Sequence, residues 1–315
     1  MKRAFVFPGQ GSQVVGMGKE LAEAYPAARE IFDMVDEALG EKLSALIFEG
    51  PLETLTLTQN AQPALMAVSV AAARALEAVA GKPLAQMADF VAGHSLGEYS
   101  ALAAVRALEL EDAARLLRLR GQAMQEAVPV GAGAMAAMLG VEIDLAREIA
   151  DAAAEDQVCD VANDNGAGQV VLSGDKAAIE RAIAIATAKG VKRSVLLPVS
   201  APFHCTLMAP AADVMGRALA GVSLQKPSLP VIANVAAEAE SDPSAIRQLL
   251  VQQVTGMVRW RESMKYAADQ GVTWVGELGA GKVLTGLAKR IDARLEATAI
   301  GTVAAIEAAA ATLAE

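Results

Sequence analysis

The chain has 315 residues, enough for one large domain or for one domain with a second inserted into it. It is 54% hydrophobic but only 3% aromatic, so alanine and aliphatic residues supply the apolar content, which suits helices packed on a sheet and excludes a disordered chain. A net charge of −10, with acids scattered along the chain, argues against a nucleic-acid binder, which shows a basic stripe.

Residues 4–7, AFVF, read as a short buried strand that runs straight into FPGQGSQ at 7–13. Glycines flanking Gln10 mean either a tight bend or a backbone that must come close to another group. Lys2-Arg3 ahead of the strand lacks the apolar stretch of a signal peptide. Helices are predicted at 17–25, with Pro26 near its end, and at 28–39; Gln62-Pro63 opens an apolar helix to about residue 80. Its apolar-rich run, 64–73, is interrupted by Ser69 and closed by Arg74, short of the roughly 20 residues that span a bilayer. The expectation is a cytoplasmic protein with no membrane partner and no nucleic acid.

Residues 90–92 read as a strand, followed at once by GHSLG, a helix at 98–107 and another at 111–127 carrying Arg115, Arg118 and Arg120. Strands alternating with helices predict an α/β domain with a mostly parallel sheet. The pattern changes near Pro129: strand 133–141, helix 145–154, strand 158–162, a turn at 163–166, strand 169–173, helix 176–189, strand 191–199. That order is βαββαβ, the split unit of ferredoxin-like domains. An inserted subdomain is therefore expected at 128–197, with 1–127 and 198–315 forming the main domain, which resumes with strands at 229–233 and 273–277. Cys159 and Cys205 are far apart and in no ligand cluster, which supports neither zinc nor a disulfide framework.

Gly93-His94-Ser95-Leu96-Gly97 matches G-x-S-x-G after a predicted strand and before a predicted helix, the context of a nucleophile elbow. Small residues at 93 and 97 tolerate the strained turn, and the helix N-terminus beside Ser95 favours developing negative charge. A serine hydroxyl needs a base to take its proton, and the chain has two histidines. His94 adjoins Ser95 and points elsewhere on such a turn, which leaves His204, in SAPFHC, as the base. No third, carboxylate member is singled out: several acids could orient the imidazole, and so could a backbone carbonyl.

FPGQGSQ, GHSLGE at 93–98, RGQAM at 120–124, NDNGAGQVVLSG at 163–174, PFH ending at His204 and ELGAGKVLTGL at 277–287 occur in one collinear series. Together they resemble the malonyl-CoA:acyl carrier protein transacylases of fatty acid synthesis, to which the acyltransferase domains of polyketide synthases are related. The resemblance implies an α/β-hydrolase-like core with a ferredoxin-like insertion, agreeing with the pattern above. It implies a ping-pong transfer of malonyl from malonyl-CoA to acyl carrier protein through a Ser95 acyl-enzyme, with His204 as base and no cofactor or metal. The backbone N–H groups of Gln10 and Leu96 are implied to form the oxyanion hole, which would explain the Gly-flanked loop. Arg120 corresponds to the arginine that binds the malonyl carboxylate; a free carboxylate suits a planar, permanently charged fork. Arg115 and Arg118 are expected to be solvated helix charges. A backbone carbonyl near Gln253, in LVQQVTGMVRW, is the implied orienting partner of His204, and Phe203 matches a position where a bulky side chain crowds a 2-methyl group. Lys189, Lys192 and Arg193 are candidate contacts for an acidic carrier protein. The length fits a discrete enzyme rather than a piece of a megasynthase.

Two other motifs fail on context. GELGAGK at 276–282 has P-loop spacing, but Val283 stands where magnesium coordination needs Ser or Thr. Gly131-Ala132-Gly133 enters a predicted strand where a dinucleotide fingerprint enters a helix.

Overall fold

The computed structural model describes residues 2–314. In chain order its strands are β1 (Lys2–Phe7), β2 (Phe90–Gly93), β3 (Gly133–Leu139), β4 (Cys159–Gly166), β5 (Gln169–Asp175), β6 (Arg193–Leu196), β7 (Val231–Ile232), β8 (Ala239–Glu240), β9 (Val272–Leu278) and β10 (Glu296–Ile300). Six form one sheet in the order β10-β9-β1-β2-β7-β8, parallel except for β8. The other four form an antiparallel sheet in the order β4-β5-β3-β6. Counted within that sheet, the order is 2-3-1-4, and its two helices Ile143–Ala154 and Lys176–Ala188 follow the first and third strands, as in a ferredoxin-like unit. The chain thus has the α/β-hydrolase-like core with a parallel sheet and the inserted antiparallel ferredoxin-like sheet that the sequence pattern implies.

Period-two alternation decides which face each strand gives to which core. In β1, Phe5 and Phe7 join the large apolar cluster with the helices, while Ala4 and Val6 join the cluster under Trp260 and Met264. In β3, Ala134, Ala136 and Met138 face the small sheet's own helices, and Met135 and Ala137 face the main core. The two sheets therefore share a wall rather than a linker.

Several predicted boundaries change. The apolar helix begins at Thr58, not at Gln62, and runs to Ala80 with Pro63 inside it. An internal proline costs a helix about 3 kcal/mol; here burial of nearly every side chain from Thr58 to Leu76 offsets it. At 23 residues this helix is long and apolar enough to cross a membrane, contrary to the shorter run read from sequence, yet it lies mostly buried inside the fold. The expected turn at 163–166 is the end of β4, and the chain reverses at Gly166, Ala167 and Gly168, all with positive φ. Tertiary pairing overrides the Asn-Asp-Asn-Gly signal: the Asp164 N–H donates to the Val258 carbonyl and the Asp164 carboxylate pairs with Arg261. The predicted strand at 191–199 pairs only over Arg193–Leu196, because Leu197, Pro198 and Val199 bend into a cavity wall. β10, half-exposed at a sheet edge, carried too little apolar pattern to be foreseen.

Candidate active site

Parallel register puts two loops side by side. Phe7 at the end of β1 is paired with Gly93 at the end of β2, so FPGQGSQ and GHSLG leave the sheet together, at the carboxyl edge where ligands sit in open α/β sheets. The elbow is packed too closely for side chains. A Cβ on Gly93 would lie 1.9 Å from the Gly97 carbonyl, and one on Gly97 would lie 2.3 Å from the Phe7 oxygen. Ser95 between them is held at φ 54°, a left-handed conformation that non-glycine residues rarely adopt.

The Ser95 Oγ lies 2.7 Å from His204 Nε2, and His204 Nδ1 lies 2.9 Å from the Gln253 carbonyl oxygen. A carbonyl only accepts, so Nδ1 carries the proton and Nε2 is free to accept from the serine. Of the partners left open from sequence, the imidazole meets the backbone carbonyl. Burial, and next the charge of Arg120, push the His204 imidazole down to about 3, so it stays neutral. His204 itself has φ 57°, and the chain just after it is held where the Asp160 carboxylate accepts from the Thr206 N–H and hydroxyl, both at 2.7 Å. His94 points away, its Nε2 2.9 Å from Asn165 Oδ1 on β4.

Arg120 comes from the helix Leu110–Glu126 and is 1% exposed. The helix can approach because Gly121 follows: a Cβ there would meet Gln59 Cα at 2.4 Å. Its guanidinium donates to Gln62 Oε1 at 2.6 Å, to Gln253 Oε1 at 2.9 Å and to Ser95 Oγ at 3.1 Å, all neutral groups. It also sits 5.8 Å from the Tyr99 ring centroid. A buried cation beside Ser95, held by neutral partners, is chemically suited to receiving an anion. Arg115 is exposed and pairs with Asp112 as expected. Arg118 is not solvated: it is largely buried, bonded to Asn60 and Glu41, and ties the helix Thr58–Ala80 and the bend at Glu41 to its own helix.

These groups open on a cavity of about 390 Å³ lined by Gln10, Leu96, Arg120, Met135, Asn163 and Phe203, among others. The Gln10 side chain is fixed by the Thr58 hydroxyl at 3.0 Å. Among the described residues, neither the Gln10 nor the Leu96 N–H is committed to a backbone acceptor. Phe203 closes one side with its ring nearly buried.

Sequence reading missed three residues. Asn234 accepts from the Ser95 N–H at 2.7 Å and donates to the Gly93 carbonyl at 2.6 Å, bracing the elbow. Gln62 links Arg120 to Thr58 and so to Gln10. Glu98, 2% exposed, accepts from the Gln253 side-chain amide at 2.9 Å and from the Asn234 N–H at 3.0 Å. Burial pushes its carboxyl up to about 7. Glu98 closes GHSLGE, and its being the one carboxylate in GHSLGEYSALAAV, residues 93–105, was its only signal.

The declined P-loop spacing is occupied from within. The buried Glu277 carboxylate accepts from the Leu284 and Thr285 N–H groups and the Thr285 hydroxyl, filling the helix terminus where a phosphate would bind.

A family profile described as "Acyl transferase domain" matches residues 4–292. The chain is similar to a malonyl CoA-acyl carrier protein transacylase of Escherichia coli strain K12, 48% identical over 97% of this chain and 98% of that protein. It is also similar to a crystal structure of an acyl-carrier-protein S-malonyltransferase from Bartonella henselae, at 55% identity, TM-score 0.97 and full coverage of both chains. A third likeness, at 42% identity and TM-score 0.95, covers 99% of this chain and 100% of the other. It is to a structure of a type II PKS acyl-carrier protein in complex with its malonyl-transacylase.

Proposed function

We propose a ping-pong malonyl transfer for this chain, which belongs to the acyl transferase family and, within it, to the malonyl CoA-acyl carrier protein transacylases. The donor is malonyl-CoA and the acceptor is the phosphopantetheine thiol of an acyl carrier protein. The observation that carries the reading is the convergence on one hydroxyl: Ser95 Oγ lies 2.7 Å from a neutral imidazole and 3.1 Å from a buried guanidinium.

In the proposed first half, His204 Nε2 takes the Ser95 proton as Oγ attacks the thioester carbon. The oxyanion is held by the N–H groups of Gln10 and Leu96, each such donor worth about 3 kcal/mol. The C–S bond then breaks, and His204 returns the proton to the CoA sulfur. Arg120 turns from its neutral partners to grip the malonyl carboxylate, and Phe203 fills the space a 2-methyl group would need. In the second half the carrier thiol enters and the steps reverse. The steps use the protein's own groups and need no cofactor or metal.

Residues 128–197 act in this reading as an inserted unit on a 1–127 and 198–315 catalytic core. Its exposed Lys192 and Arg193, with Lys189 beside Glu148, are the proposed contacts for an acidic carrier. A cytoplasmic setting fits such a partner.

Incubating the protein with malonyl-CoA and measuring its intact mass tests the reading. A malonyl adduct on Ser95, long-lived without a thiol acceptor and discharged by a carrier protein, is expected. Absence of an adduct overturns the acyl-enzyme; rapid discharge to water points to a hydrolase.

A further inference from the structure

Arg120 and His204 pose a problem that the established chemistry of a serine and a base leaves open. When Ser95 gives up its proton, an imidazolium forms beside a buried guanidinium, and the Arg120 charge already opposes it. Among the described residues no carboxylate touches the imidazole, whose Nδ1 meets a backbone carbonyl. Glu98 is the carboxylate that reaches these groups through two intervening residues. Its Oε2 accepts from Gln253 Nε2 and the Asn234 N–H. Those two residues between them touch everything else. Gln253 gives its backbone carbonyl to His204, its side-chain oxygen to Arg120 and a second N–H contact to the Ser95 carbonyl at 3.0 Å. Asn234 holds the Ser95 N–H.

An amide can be set either way round, and only one way works here. With its oxygen toward Arg120 and its nitrogen toward Glu98, the Gln253 amide bridges a cation and an anion. Turned over, it would set N–H against N–H. The Arg120 N–H groups and the Glu98 carboxylate, which only accepts, both oppose that flip; a neutral amide at position 98 removes the second constraint.

We propose that Glu98 is a positioning residue for acyl transfer: its carboxylate locks the Gln253 amide and offsets the Arg120 charge, so that Ser95, His204 and Arg120 keep a reactive arrangement without an acid on the imidazole. The charged and titratable groups facing Glu98 are Arg120 from the helix Leu110–Glu126 and Tyr99 from its own helix; Gln253 and Asn234, from the other elements packed on it, are uncharged. Burial raises the Glu98 carboxyl to about 7, so its charge is complete above that pH and lost as pH falls through it. His204, near 3, does not titrate in that window.

The role rests on the serine-nucleophile reading above, and it is tested with a probe that needs no malonyl donor. A fluorophosphonate labels Ser95 directly, so failure of this role is distinguishable from failure of malonyl specificity. Wild-type labelling is expected to slow as pH is lowered through about 7. Glu98→Gln is expected to label roughly 10-fold more slowly with no inflection there, matching the wild type at low pH. Glu98→Asp, which keeps the charge, should retain the inflection at a reduced rate. A folded Glu98→Gln with wild-type rate, or with a slower rate and an unmoved inflection, overturns the role. If Glu98→Gln does not fold, the wild type decides: a flat profile across that window overturns it, and an inflection retained in Glu98→Asp supports it.

Discussion

The six-stranded and four-stranded sheets divide the work differently. At the carboxyl edge of the large sheet, two non-glycine residues with positive φ, Ser95 and His204, sit among buried Arg120, Glu98, Asn234 and Gln253. The small sheet's own core is alanine and aliphatic, with Met138 its longest fully buried side chain on β3. What it lends the site is wall and ties: Met135 and Asn163 on the cavity, Asn165 on His94, Asp160 behind His204. Parallel strands all end on one side, so the turns leaving them bring distant chain segments to one place. Antiparallel hairpins return to their neighbours and gather nothing. The candidate catalytic groups therefore collect on the first sheet, while the second supplies an apolar core of its own and, through Asn163, Asp164 and Asn165, polar ties at its edge.

Substitutions on each side of that divide test it. Ser95→Ala should reduce transfer by about 10⁴-fold or more, with the melting temperature little changed because alanine keeps the Cβ and with it the left-handed strain; a residual rate near wild type would place the nucleophile elsewhere. Arg120→Ala should cost ~100-fold or more with malonyl-CoA and spare or improve acetyl-CoA. Equal losses on both donors would make the guanidinium structural. Met138→Ala, in the small core, should lower unfolding free energy by about 2–5 kcal/mol in denaturant titrations and leave kcat within about twofold. A large kcat loss in protein that is still folded would show that the small sheet positions the chemistry after all. Phe203→Ser should have the smallest effect, a few-fold gain in methylmalonyl over malonyl use in a competition assay, consistent with roughly 1 kcal/mol for one methyl group.

Much of this was readable from local pattern. The elbow announces itself because close packing of Gly93 on Gly97, and of Gly97 on Phe7, leaves no room for other residues. With the chain's other histidine beside Ser95, His204 follows by elimination as the candidate base. The βαββαβ order of 133–196 survives with shifted ends, since each strand's alternation is local. Misreadings fell where a tertiary partner outvoted a local signal: Pro63 inside a buried helix, Asn163 to Gly166 inside a strand, Arg118 bonded to Asn60 and Glu41.

The sequence by itself singled out Ser95, His204 and Arg120 as candidates and identified the family, because short motifs and a collinear order of them are legible without a structure. Only the tertiary structure decided which groups hold them. Glu98, Asn234 and Gln62 lie up to 172 positions apart along the chain, as the numbers 62 and 234 show, and converge through parallel register and helix packing. Their hydrogen bonds depend on distances that no spacing in the sequence encodes, since a buried polar group needs only some partner within reach and leaves no periodic trace of which one.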